Sequence, residues 1–261
     1  MNLDLTGKSA VVCGSTQGIG KASAIELALL GADITLIARD EKKMKAVVKA
    51  LPTPAGQKHD YLVADFNFPD NLKSGLEKHF AKDMAQILVN NTGGPAAGLA
   101  IEATLDEFTK AFTNHLLCNQ ILVQSLLPGM KKSKYGRIIN IISTSVKMPI
   151  RGLGVSNTIR GAVANWSKTL SLELGPLGIT VNNVLPGASM TGRLEALIRN
   201  RAEKEGKSFD EIKKEMISEI PVGRISDPSE VAAAVAFLAT PAAGYINGVN
   251  IPVDGGRTGS L

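Results

Sequence analysis

The sequence predicts a single-domain, doubly wound α/β fold with a central parallel sheet. Three observations carry this. Short runs rich in β-branched residues alternate along the chain with longer stretches of helical apolar spacing. Several strand runs, such as Ser9-Ala-Val-Val-Cys13 and Asp33-Ile-Thr-Leu-Ile-Ala38, are nearly continuous apolar stretches, the pattern of strands covered on both faces. A glycine-rich turn, Gly14-Ser-Thr-Gln-Gly18-Ile-Gly20, leads from the first strand into the first helix. Repeated strand–helix units with right-handed crossovers wind a parallel sheet on both faces.

Each element follows in order. After the first strand, Ile19 to Leu30 has helical apolar spacing, with Gly31 as its C-cap. The second strand, Asp33–Ala38, leads to a helix from about Glu41 to Leu51, and Pro52-Thr-Pro54-Ala-Gly56 is a loop. Further strands are expected at Tyr61–Ala64, Ile87–Val89, Arg137–Ile142, Ile179–Leu185 and Val249–Val253. Helices are expected near 70–82, 105–131, 155–175 and 228–239. The charged stretch at about 190–220 reads as a helical excursion from the sheet layer on the substrate side; its Arg193, Arg199, Arg201 and Lys207 read as a solvated helix, with contact to an acidic substrate or carrier as the alternative. No linker divides the chain, so residues 1–261 form one domain.

Composition excludes several classes. Hydrophobic residues make up 44%, enough apolar material to offset ordering entropy and exclude global disorder. Lys and Arg number 29 against 24 acids, a net +5. The basic residues are dispersed, so they read as solvated helix faces and no nucleic-acid partner is expected. No apolar run reaches the roughly 18 residues of a membrane span, and residues 1–8 read as a polar lead-in to a strand. Cys13 and Cys118 show no metal-type spacing and are not expected to pair. A cytoplasmic protein is the expectation.

The glycine turn is the first motif that carries chemistry. Its spacing lets backbone N–H groups approach a pyrophosphate at a helix N-terminus. The second strand ends Ile37-Ala38-Arg39-Asp40. An Arg there suits the 2′-phosphate of NADP, whereas an acid would suit the ribose hydroxyl of NAD. NADP is favoured, with NAD as the alternative because of Asp40 and of Gln17, which is not basic. The competing reading of Arg39 is a surface residue paired with Asp40 or Glu41.

These motifs and those that follow resemble the short-chain dehydrogenase/reductase (SDR) family over nearly the whole chain. Asp65, followed by Phe66, resembles the acid near the adenine. Asn90-Asn91-Thr92-Gly93 resembles the turn that contacts the adenosine, and Gly136 to Ser143 the strand ending in the active-site serine. Pro186-Gly187 with Thr191 resembles the turn whose Thr holds the nicotinamide carboxamide. Gly248 to Gly256 resembles the C-terminal strand. The resemblance implies a Rossmann fold and cofactor contacts from Gly14, Ser15, Thr16, Gly18, Ile19, Gly20, Arg39, Asp65, Phe66, Asn91, Thr92, Gly93, Arg160, Pro186, Gly187 and Thr191. It also implies a homotetramer or a homodimer.

The departures are chemical. The family's centre is Ser, Tyr-x-x-x-Lys and an Asn on the preceding long helix. Ser143 is present, but Ser156 and Arg160 stand where the Tyr and Lys belong, and His115 aligns with the Asn, with Asn114 one residue away. A serine hydroxyl is far less acidic than a phenol, and Arg160 does not deprotonate. Arg160 can still bind ribose and supply positive charge. Residues 156 and 160 are i, i+4, so they share one helix face.

His115, because a free imidazole titrates near neutrality, and Lys147, past Ser143, are the candidate proton relays. The competing readings are a packed core histidine and a solvated loop lysine. The reading reached is an oxidoreductase exchanging a hydride between NADP(H) and a carbonyl or alcohol substrate, of the 3-oxoacyl type by resemblance. The alternative is a non-catalytic dinucleotide-binding relative, a sensor or assembly subunit.

Overall fold

The computed structural model describes residues 1–81 and 84–260. Seven parallel strands form one sheet. They are β1 (Ser9–Cys13), β2 (Asp33–Ala38), β3 (Asp60–Val63), β4 (Ile87–Asn90), β5 (Gly136–Ile141), β6 (Ile179–Pro186) and β7 (Asn250–Val253), in spatial order 3-2-1-4-5-6-7. The order reverses between β1 and β4, and such a switch point opens a crevice at the carboxyl ends of the strands.

Helices cover both faces, which is why the central strands are apolar on both sides. On one face lie α1 (Gly18–Leu29), α2 (Glu41–Ala50) and α9 (Pro228–Ala239), through Leu27, Met44, Val231 and Val235. On the other lie α3 (Pro69–His79) and α5 (Cys118–Ser133), through Leu72, Leu76, Leu122 and Leu126. The helix α6 (Gly154–Leu174) packs on that face too, through Leu174. Each of these side chains except Leu174 is at least 98% buried.

Two expected boundaries move. The helix expected at 70–82 ends at His79, and residue 82 lies outside the described residues. The single long helix expected at 105–131 is interrupted. It runs as α4 (Leu105–Phe112), a π turn at Thr113–Leu117, and then α5. A π turn closes with i→i+5 bonds, so it takes up an extra residue and rotates everything after it. Hydrophobic spacing does not reveal such a turn, because its flanks remain helical.

The excursion resolves into α7 (Gly192–Glu205) and α8 (Phe209–Ser218). Thr191 caps α7, Gly206 ends it at φ +64°, and Ser208 with Glu211 forms a capping box on α8. The pair has its own small core of Leu194, Ile198, Ala202 and Ile212. Arg201 and Lys207 tie the helices together by ion pairs to Glu215 at 2.6 and 2.7 Å.

A buried asparagine ladder crosses the sheet. Asn90, Asn140, Asn183 and Asn250 stand in register on β4, β5, β6 and β7. Nδ2 of each donates to Oδ1 of the next, at 2.8, 3.0 and 2.8 Å. Asn140 Nδ2 also reaches Ser167 Oγ on α6 at 3.2 Å. These amide pairs hold one strand register, because a slip would break each bond of the ladder; only Asn90 Oδ1, at its end, is buried without a partner among the described ladder atoms.

Candidate active site

A cleft of about 1330 Å³ opens at the carboxyl ends of the strands, beneath α7 and α8. At one end is the glycine turn. Gly14 and Gly18 have φ of +57° and +55°, the left-handed region that glycine adopts without strain. Gly20 has a different reason: a Cβ there would come within 2.3 Å of Gly14 O. The turn is held from the side by Asn91, whose Nδ2 donates to Cys13 O at 3.3 Å and Gly14 O at 3.2 Å. Gly14, Thr16, Gly18 and Ile19 line the cleft. Ser15 and Gly20 lie behind it, and Ser15 Oγ is buried with no partner among the described residues.

At the end of β2, Arg39, Asp40 and Lys43 line the cleft. Asp40 caps α2, accepting from Lys43 N at 3.0 Å, and pairs with Lys43 Nζ at 3.5 Å. Its carboxylate is thereby engaged with the helix. Arg39 is exposed at the cleft wall with no ion pair among the described residues, and Lys43 lines the cleft beside it. The pairing of Arg39 with Asp40 or Glu41 is not formed: Glu41 pairs with Lys45 at 2.9 Å.

Asp65, Phe66, Asn91, Thr92 and Gly93 line the cleft between the glycine turn and β5. Asp65 Oδ1 accepts from Asn67 N and Nδ2 at 3.0 and 2.8 Å. Pro186, Gly187 and Thr191 line the far side. Thr191 Oγ1 caps α7, accepting from Leu194 N at 3.3 Å, and its methyl lies over Gly18, where a Cβ would sit 3.1 Å away.

Ser143, Ser156 and Arg160 converge in the cleft. Ser143 follows β5 and its Oγ accepts from Ser145 N at 3.1 Å. Ser156 and Arg160 lie one turn apart on α6, each only 8% exposed. Arg160 Nη1 donates to Ile141 O at 3.1 Å. Burial, and then the charge of Arg193, lowers Arg160 to about 10, so it stays cationic at neutral pH.

The π turn decides between Asn114 and His115. Asn114 lines the cleft, and its Nδ2 donates to Asn67 Oδ1 at 3.2 Å. His115 sits one layer back, 2% exposed, with Nδ1 against Thr92 Oγ1. Burial first, then the charges of Arg160 and Arg193, push His115 down to about 2, so the ring is neutral. Lys147 ends the short turn Thr144–Val146 and is not among the residues lining the cleft.

No tyrosine lines the cleft among the described residues. Tyr135 Oη donates to Ala239 O at 2.5 Å at the opposite end of β5, and its ring faces Arg137 at 4.1 Å. Tyr61 donates to Glu41 at 3.0 Å, and Tyr245 is fully exposed. Cys13 and Cys118 are free buried thiols. Burial raises both, Cys118 to about 12. The sequence reading treated Arg193 as part of a solvated helix. Here it lines the cleft, and its place two residues past Thr191 was the available signal.

The chain belongs to the short-chain dehydrogenase/reductase family. Residues 14–258 match the family model described as enoyl-(acyl carrier protein) reductase. The chain is 34% identical over 254 residues to the 3-oxoacyl-[acyl-carrier-protein] reductase FabG of Haemophilus influenzae, covering 97% of this chain and 98% of that one. It is 28% identical over 259 residues to the NADPH-dependent reductase BacG of Bacillus subtilis, covering 98% and 100%. Among solved structures, L-sorbose reductase from Gluconobacter frateurii, complexed with NADPH and L-sorbose, superposes with a TM-score of 0.93 at 28% identity, with both chains fully covered.

Proposed function

We propose that this protein is an NADP(H)-dependent oxidoreductase acting on a carbonyl/alcohol pair through an altered centre. The observation that carries it is the convergence of Ser143, Ser156 and Arg160 on the cleft that also holds the glycine turn and Arg39. When bound, NADPH supplies a hydride to the carbonyl carbon, and water supplies the proton that the oxygen then takes up. The hydroxyls of Ser143 and Ser156 donate to the carbonyl oxygen, and Arg160 stabilises the negative charge that develops there. Neutral His115 with Thr92 forms a relay at the cleft wall: an imidazole passes a proton by accepting at one nitrogen and donating at the other. A 3-oxoacyl thioester or similar ketone is the substrate class that the FabG relative suggests. The protein assembles as a homotetramer or homodimer in the cytoplasm; exposed Ile101, in the turn before α4, and Leu105, its first residue, support the assembly.

One observation favours a non-catalytic dinucleotide binder instead: the cleft lining offers no phenol. The test is NADPH oxidation across a ketone panel with the wild type, Ser143→Ala, Arg160→Ala and the double variant Ser156→Tyr with Arg160→Lys. The wild type should turn over slowly and each alanine should lower it. The double variant should gain about 10²- to 10⁴-fold, the range of a positioned general acid. Tight NADP binding with turnover only in the double variant would establish the non-catalytic reading.

A further inference from the structure

The charged residues of the excursion separate once they are placed. Arg199 stacks over Phe209 at 5.2 Å, and Arg201 and Lys207 are paired with Glu205 and Glu215. Arg193 alone of these four turns across the cleft. Its Nη2 donates to Pro95 O at 2.6 Å, and its guanidinium lies against Gly94, where a Cβ would come within 3.0 Å of Nη2. Any side chain at residue 94 would crowd the arginine. Arg193 is an exposed residue that lines the same cleft as Ser143, Ser156 and Arg160, and its charge lowers both Arg160 and His115.

The centre therefore holds two guanidinium charges and a neutral imidazole. Neither arginine has a carboxylate partner among the described residues. Of the five acids lining the cleft, four are engaged elsewhere: Asp40 with α2, Asp65 with Asn67, Glu205 with Arg201 and Lys207, and Glu219 with Arg257; the fifth, Glu102, pairs with neither arginine among the described residues. A guanidinium carries five donors, and Arg160 and Arg193 each spend one donor group on a backbone carbonyl. Arg160 is buried, and removing such a charge from water without a counter-charge is costly; a bound anion bridging it and Arg193 offsets that cost.

We propose that Arg193, with Arg160 behind it, is a substrate carboxylate subsite, and that the substrates are oxo acids. This rests on the reductase reading above, with a free carboxylate in place of the thioester that the FabG relative suggests. The carboxylate would accept from the Arg193 guanidinium while the carbonyl oxygen meets Ser143 and Ser156. A planar carboxylate matches the guanidinium fork, and charge-assisted pairs of this kind are the strong ones.

The test uses the full chain and matched substrates: 2-oxo and 3-oxo acids, each against its methyl ester. With NADPH, the acids should exceed the esters at least about 10-fold in kcat/KM, and Arg193→Gln should collapse that ratio by about 10- to 100-fold. NADPH affinity of Arg193→Gln, followed by cofactor fluorescence, should stay near wild type. Esters reduced as well as acids would overturn the subsite and leave the reductase reading intact. A loss of NADPH affinity in Arg193→Gln as large as the loss with acids would assign the arginine to the cofactor phosphates and overturn it as well. If nothing is turned over, calorimetry of the NADP⁺ complex with the same acids decides. Binding that Arg193→Gln abolishes supports the subsite without the reductase, and no binding removes both. Circular dichroism confirms that the variant is folded.

Discussion

Replacing His115 by Gln should change how stability depends on pH. The ring is 2% exposed, and burial with the charges of Arg160 and Arg193 holds its pKa at about 2. In the unfolded chain an imidazole titrates near 6.5. Below that pH the unfolded state takes up a proton that the native state refuses. The stability contributed by the neutral ring is therefore complete above pH 6.5 and is lost as pH falls toward the native pKa. One proton gives a slope of at most about 1.4 kcal/mol per pH unit, so lowering the pH from about 6.5 to 4.5 costs about 2–3 kcal/mol. Gln keeps a polar group for Thr92 and does not titrate. Urea unfolding of both chains at pH 7, 6, 5 and 4.5 reads the difference. The wild type should lose about 2–3 kcal/mol more than His115→Gln over that range. Parallel curves would show that His115 is not held neutral, and the relay assigned to it would fall with that result.

Gly20→Ala forces a Cβ against Gly14 O, an atom of the backbone that cannot swing aside. The turn must open, and NADPH affinity measured by calorimetry should fall by about 10- to 100-fold, the equivalent of about 1–3 kcal/mol of overpacking. Asn140→Ala removes the middle of the asparagine ladder and leaves Asn90 Nδ2 and Asn183 Oδ1 buried without their bonds. Stability from urea unfolding should drop by about 2–5 kcal/mol. A loss under about 1 kcal/mol would mean that water takes the place of the amide.

The fold was legible because its signals are local. Continuous apolar runs at Val11 and Ile34 follow from burial on both faces, and the glycines at 14 and 18 from the backbone angles that the turn requires. That Arg39, Asp65, Asn91 and Thr191 line one cleft was legible for the same reason: each sits at a strand end or helix start. The proton-handling side was not. Asn114 and His115 are neighbours in sequence, and a π turn that spacing does not reveal sends one to the cleft and the other to Thr92. Arg193 looks like its helix-mates in charge pattern, and only the position of Gly94 and Pro95 on another loop distinguishes it.

The sequence by itself determined the order of strands and helices and the glycine turn, and it puts Ser156 and Arg160 where the resemblance expects Tyr and Lys. These depend on residue type and on contacts within a few positions. The tertiary structure decided what lies far apart in the chain: the asparagine ladder over residues 90 to 250, the neutrality of His115, and the turn of Arg193 onto Pro95 O across the cleft. Burial and electrostatics are properties of assembled neighbours, and no single stretch of sequence contains them.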